Sequence, residues 1–177
     1  MNGLVRPALA TDPPGCHAAP HHPTAARRAG RPATTTGRLP ITGLGVVSGV
    51  GNDTGTFFEN VVAGRSGVKR LAWREDTVAA LPAFDPEAHF TKMQLGTLDR
   101  VAQFALVAGA QAVRQSAMPA GPWGPRAGIY FGCGIGGAAS IEQSYRAFLG
   151  DGRVSPMTIV LTMPNASAAH LSLAYGV

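Results

Sequence analysis

The sequence predicts an α/β layered fold, on three observations. Short apolar runs alternate with longer stretches of helical periodicity, the pattern of strands packed against helices. The two clearest runs, residues 39–44 and 127–133, each end in closely spaced glycines. The chain has 177 residues, which fits one ordinary domain. Apolar residues make up 45% of it and charged residues 14%, so a core can form. No apolar run approaches the roughly 18 residues of a membrane span.

Residues 1–37 stand apart. They hold six of the 14 prolines and three of the five histidines, with no aromatic and no serine. Such a segment cannot bury enough apolar surface to offset its ordering entropy, which predicts disorder. It has no apolar stretch of the kind a secretory signal needs. It is Arg-rich and acid-poor like a transit peptide, but its prolines and lack of serine oppose that reading. His17, His21 and His22 could bind a metal, although a solvated tail accounts for them.

Order is expected from Arg38. Residues 39–44 form a short strand stopped by Gly43 and Gly45. Asn52-Asp53-Thr54 offers helix-start chemistry, and Phe57, Phe58, Val61 and Val62 share one helical face before Gly64. Residues 65–96 lack clean periodicity and read as a long, partly irregular excursion. Thr97 is placed to cap the next helix, with Asp99 favourable in its first turn. That helix carries Leu98, Val101, Ala102, Ala105, Leu106, Ala108, Gly109, Ala112 and Val113, a broad apolar surface of small residues. Residues 119–125 are a turn-rich link. Residues 127–133 are a buried strand followed by the glycine turn 134–137. A helix over 138–149 places Ile141, Tyr145 and Phe148 on one side. Ser155-Pro156 opens a loop or short helix, and Pro164 starts a last helix over 165–175, where a missing N–H costs nothing.

Charge excludes some functions. The net charge is +5, and residues 1–38 alone carry five arginines against Asp12. The remainder is nearly neutral and has no basic face interleaved with aromatics, which argues against nucleic-acid binding. The two cysteines, Cys16 and Cys133, make neither a disulfide framework nor a zinc spacing, consistent with a reducing cytoplasm.

Three features invite chemistry. Gly132-Cys133-Gly134-Ile135-Gly136-Gly137 satisfies the dinucleotide pattern G-x-G-x-x-G between a strand and a helix. The acid that should follow at a strand tip is supplied only by Asp151, within a turn. Close packing of backbone on backbone is the favoured alternative. Gly43-Leu44-Gly45 lacks a third glycine and a Lys-Ser/Thr sequel, so close packing is favoured there too. Cys133 as a nucleophile has no nearby histidine in sequence. His170 lies on a mostly apolar helix and reads as a satisfied core histidine. Asn165 is a helix cap or a buried hydrogen-bonding residue, and His89 a surface residue.

Taken in order, these segments resemble the N-terminal part of the β-ketoacyl-acyl carrier protein synthases, of the thiolase superfamily. The resemblance runs through Ile41-Thr42-Gly43-Leu44-Gly45, Gly64-Arg65-Ser66-Gly67-Val68, Phe84-Asp85-Pro86 and Leu98-Asp99-Arg100. It continues through Gly132–Gly137, Ser155-Pro156 and the helix from Asn165 to Tyr175-Gly176. It implies an incomplete N-terminal half of a thiolase-like layered fold over residues 38–177. It also implies decarboxylative condensation of an acyl group, held on a cysteine, with a malonyl thioester. That cysteine and two histidines of the family correspond to no residue here, so the chain is expected to stop before the nucleophile and to be inactive alone.

What carries over is the pocket. The resemblance places Ile135 on the acyl-binding channel and Thr158 where the partner subunit's channel is met and chain length is set. It implies no metal or redox cofactor. The partners it implies are acyl carrier protein, acyl and malonyl thioesters, and a second ketosynthase subunit in a homodimer or heterodimer, with no nucleic acid and no membrane. A non-catalytic partner subunit and a nucleotide-binding module are the competing readings. An incomplete parallel sheet would leave strand edges unpaired and the second helix's apolar face uncovered, so residues 38–177 alone are expected to be poorly stable.

Overall fold

A computed structural model describes residues 39–72, 74–80, 82–119 and 121–177. The tail, with Cys16 and its three histidines, lies outside these residues.

The first helix, α1 (Thr54–Val62), starts where the sequence places it: the Asp53 carboxylate accepts the Thr56 N–H at 2.9 Å. It ends at Ala63, and Gly64 takes the left-handed φ of 67° that a side chain disfavours. Phe58, Val61 and Val62 remain exposed.

The stretch expected to be partly irregular contains a hairpin. Strands β1 (Val68–Leu71) and β2 (Arg74–Ala80) pair antiparallel, with Val68 opposite Ala80 and Arg70 opposite Val78, and the register shifts after Arg70. No β1 side chain is fully buried, and neither strand's sequence alternates apolar with polar residues. Its base abuts the turn at 48–51, where a Cβ on Gly49 would lie 2.9 Å from the Ala80 carbonyl carbon.

After a single turn, α2 (Lys92–Leu95), comes the central helix, α3 (Arg100–Ser116). Its cap is Asp99, which accepts the Val101 N–H at 3.0 Å. Thr97, the expected cap, donates its hydroxyl to the Gln94 carbonyl at 2.9 Å and so serves the end of α2. The expectation that this helix would lose its cover is also corrected. Ala102, Ala105, Leu106, Val107 and Ala110 are buried, and Leu106 anchors the core with Phe90 and Leu98.

The cover comes from two sides. Across one face lies the last helix, α6 (Ala166–Tyr175), close enough that a Cβ on Gly109 would sit 2.8 Å from Leu171 Cδ2. Residues 43–46 lie along another part of α3. Cβ atoms at Gly43 and Gly45 would overlap the carbonyl oxygens of Ala112 and Ala108, so only glycine permits this approach. The Leu44 and Val46 N–H groups donate to the side-chain oxygens of Gln115 and Gln111, the latter at 2.9 Å. The Gln111 amide in turn donates to the Asn52 carbonyl. Residues 39–44 are therefore not a strand among the described residues. They belong to an extended segment that reaches α3 through its amide groups rather than through a ladder.

Residues 127–133 likewise have no ladder partner among the described residues, and they are not buried. Burial alternates along them: Ala127, Ile129, Phe131 and Cys133 are half-covered, while Gly128, Tyr130 and Gly132 are open. Tyr130 is 99% exposed. Extended backbone sends successive side chains to opposite sides, and only one side here meets the rest of the chain.

Two helices complete the chain before α6: α4 (Ala138–Asp151) and the short α5 (Thr158–Thr162). Asn165 occupies the cap position of α6, but its side chain makes no cap hydrogen bond. The far end of α6 is pinned by the 119–126 link. Trp123 stacks on Tyr175 with centroids 4.7 Å apart, and the Trp123 and Gly124 N–H groups donate to the carbonyls of Tyr175 and Gly176. No helix among the described residues is long and apolar enough to cross a membrane.

Candidate functional site

The glycine turn is held from below by α5 and from the side by Asp99. Gly136 has φ 79°, and a Cβ there would lie 2.6 Å from the Thr162 carbonyl oxygen. A Cβ on Gly137 would overlap the Leu161 carbonyl and stand 3.1 Å from the Asp99 carboxyl carbon. Gly132 and Gly134, by contrast, face open space. Two glycines of the motif are thus there for close packing, and two are not required by it.

Asp99 is 5% exposed and serves two helices at once. One carboxylate oxygen caps α3. The other accepts the Ser140 N–H at 3.0 Å and the Ser140 hydroxyl at 2.6 Å, in the first turn of α4. The amide groups and dipole at a helix start favour an anion. Here the anion is a side chain of the protein. A dinucleotide's pyrophosphate would need the place that Asp99 fills, and Asp151, at the far end of α4, accepts the Arg153 N–H instead. The residues present do not fit a nucleotide.

Cys133 is half-buried and its sulfur accepts the Gly136 N–H at 3.1 Å, which makes it part of the turn. Both described histidines are engaged elsewhere. His89 stacks on Phe84 at 5.2 Å. His170 sits half-buried on α6, where burial pushes its imidazole below the usual pKa and a hydrogen bond to the Thr97 backbone opposes that push. Its Nδ1 is buried without a partner, so the expected satisfied core histidine is satisfied at one nitrogen only. No group of three or more potential metal ligands occurs among the described residues.

Helix α4 presents an unexpected face inward. Among residues 141–150 only Ser144 is not exposed, and Ser140 is half-buried one turn earlier. Serines meet the rest of the chain, while Tyr145, Phe148 and Leu149 are 56% exposed or more. Ser144 lies 3.1 Å from the Thr158 hydroxyl on α5. Two clefts flank this pair. A mixed one of about 490 Å³ is lined by Asp99, Arg100, Ser140, Gln143 and Ser155 together with Leu95, Leu98 and Leu161. An apolar one of about 260 Å³ is walled by Ile141, Tyr145, Phe148 and Val154. Thr158 lines both. Ile135, 69% exposed at the tip of the glycine turn, lines neither.

Asp99, Ser140 and Ser144 were not singled out as site residues from sequence. A carboxylate just ahead of a helix is a cap signal, but its second use on α4 spans 41 positions and leaves no local trace.

The cleft walled by Ile141, Tyr145, Phe148 and Val154, and bordered by Thr158 and Thr162 of α5, is chemically suited to an aliphatic group. Residues 37–177 match the family described as Beta-ketoacyl synthase, N-terminal domain. The chain belongs to the β-ketoacyl synthase family. It is similar to 3-oxoacyl-[acyl-carrier-protein] synthase 2 of Staphylococcus aureus (strain COL), 31% identical over 149 residues, covering 78% of this chain and 36% of the relative. The enzyme of the same name from Coxiella burnetii is 33% identical over 147 residues, again covering 78% and 36%. The chain therefore spans about a third of the length of these relatives.

Among solved structures, a type II PKS ketosynthase in complex with its acyl-carrier protein and bound to the hexaketide superimposes with a TM-score of 0.62. It is 25% identical and covers 77% of this chain and 38% of that one. A β-ketoacyl synthase from Burkholderia phymatum STM815 gives the same TM-score and identity, covering 76% and 36%. The fold is that of the N-terminal part of a ketosynthase.

Proposed function

We propose that residues 38–177 are the acyl-pocket part of a condensing enzyme that joins an acyl thioester to a malonyl thioester carried on acyl carrier protein. The observation that supports this best is the apolar cleft at Thr158, within a chain whose family carries out that chemistry. Carbon–carbon bond formation of this kind needs a thiolate nucleophile and donors for the developing oxyanions. Cys133 does not supply the first, because its sulfur is committed to the glycine turn. In this reading, residues 38–177 bind and measure the acyl chain. The nucleophilic cysteine and two histidines correspond to no residue of 38–177. Binding of acyl carrier protein follows from the same reading, as in the ketosynthase complex described above.

Thr158 is small, so the channel it borders is roomier than an aromatic residue would leave it. The test is to express the complete reading frame with acyl carrier protein and follow two-carbon extension by mass spectrometry. Thr158→Phe should shift products to shorter chains. No extension by the unsubstituted protein would overturn the function, and an unchanged product profile would remove Thr158 from the pocket.

A further inference from the structure

Of residues 138–151 only Ser140 and Ser144 are not exposed, so α4 contributes no buried apolar side chain. Hydrogen bonds tie it to the rest of the protein. Ser140 donates to Asp99 through its N–H at 3.0 Å and its hydroxyl at 2.6 Å, and the Ser144 hydroxyl lies 3.1 Å from that of Thr158. Toward the start of α3 the helix looks across the cleft of about 490 Å³. A Cβ at Gly134, Gly150 or Gly152 would meet nothing within 4 Å, so the chain on either side of α4 is free to change course. We infer that α4 is a latched flap: it opens as a unit while α3 and α6 stay folded, and the Ser140–Asp99 link is the latch that holds this wall of the cleft in place. Such a flap is independent of the ketosynthase chemistry proposed above.

Local opening costs what the opened element loses. Opening α3 would part Leu106 from Phe90, Leu98 and Leu171, the centre of the core. Opening α4 gives up three hydrogen bonds to other elements, and water replaces them at the released groups. Once detached, a helix of 14 residues is marginal in water, so its amides become free to exchange with solvent. The strongest of the three bonds runs from the Ser140 hydroxyl to a carboxylate, and bonds to a charged group outweigh neutral ones. Asp99 still accepts the Val101 N–H when α4 leaves, so the carboxylate stays in place and the latch can re-form.

The experiment is hydrogen exchange of backbone amides, read by mass spectrometry on protein expressed from the complete reading frame, with and without low urea. Amides 142–150 should exchange at least about a hundredfold faster than amides 104–112, and urea should speed them little, because opening α4 uncovers little surface. Leu171→Ala weakens the packing of α6 on α3. It should speed exchange in α3 and leave α4 unchanged, because the closed and open forms lose the same contact. Ser140→Ala removes the hydroxyl bond, keeps the N–H and suits a helix, and it should speed exchange in α4 about tenfold. Equal rates and equal urea dependence in α3 and α4, or Leu171→Ala speeding both by one factor, would show that α4 leaves only with the whole fold. A Ser140→Ala effect under about twofold would remove the latch. Exchange of α4 in the parent at the rate of a free peptide would mean that nothing holds the helix, and the flap falls with it.

Discussion

Replacing Asp99 by alanine should cost about 3 kcal/mol of stability. The structure shows what is lost. One oxygen accepts the Val101 N–H at 3.0 Å, and the other accepts the Ser140 N–H at 3.0 Å and the Ser140 hydroxyl at 2.6 Å. Loss of a helix cap typically costs about 1 kcal/mol, and here α3 and α4 each lose one. A hydroxyl bond to a charged group adds about 1.5 kcal/mol or more. The carboxylate also faces two helix starts, a further favourable interaction of about 0.3–1 kcal/mol each. Against these stands the cost of keeping a carboxylate 5% exposed, a few kcal/mol, which alanine relieves in part. The balance is near 3 kcal/mol, a large share of a total that is typically about 5–15. Asp99→Asn should fall between, since one amide oxygen can cap a helix but the amide N–H₂ then faces a donor. Urea unfolding followed by tryptophan fluorescence reads this directly, because Trp123 reports on the packed end of α6. A loss under about 1 kcal/mol in the alanine variant, or an asparagine variant equal to the parent, would show that one carboxylate does not hold both helices.

Two glycines of similar sequence context should behave oppositely. Gly45→Ala places a methyl group on the Ala108 carbonyl, which α3 holds in place, and should cost about 3 kcal/mol, the upper end of overpacking. Gly132→Ala meets nothing within 4 Å and should change stability by no more than about 0.5 kcal/mol. Equal urea midpoints for the two would contradict the seating of residues 43–46 on α3. Acid should weaken the fold through His170. Burial lowers its pKa from the ordinary 6.5, so the unfolded chain binds the proton more tightly. Its contribution is fully present above about pH 6.5 and is lost as pH falls through the lowered folded value. His170→Leu should flatten that part of the stability curve between about pH 7 and pH 5, and an unaltered curve would assign the acid sensitivity elsewhere.

Helix placement was legible in the sequence at several ends where local chemistry decides it, although the cap of α3 is Asp99 and not Thr97. Asp53 ahead of α1, Gly64 after it and Pro164 ahead of α6 act within a turn of their own position, and all stand near the predicted helix ends. The close-packing reading of Gly43 and Gly45 was legible for a related reason: a short run ending in paired glycines has few other uses. The hairpin was not legible, because its open faces leave no apolar alternation to read. The two predicted strands met the converse difficulty. Residues 127–133 do alternate in burial, but a strand is defined by its neighbour, and residues 43–46 find theirs in the side chains of Gln111 and Gln115.

The candidate site divides in the same way. Gly136 and Thr158 were reached through short motifs and their order along the chain, as was Ile135, which lines neither cleft. Asp99 joining α3 to α4, and Ser144 meeting Thr158, were decided by the tertiary structure. The sequence alone determined family, several helix ends and the tight glycine contacts, since each depends on groups a few residues apart or on motif order. The tertiary structure decided which polar side chains became buried links. A carboxylate or a serine keeps the same composition whether it faces water or another helix, and only the packing of distant segments removes the water.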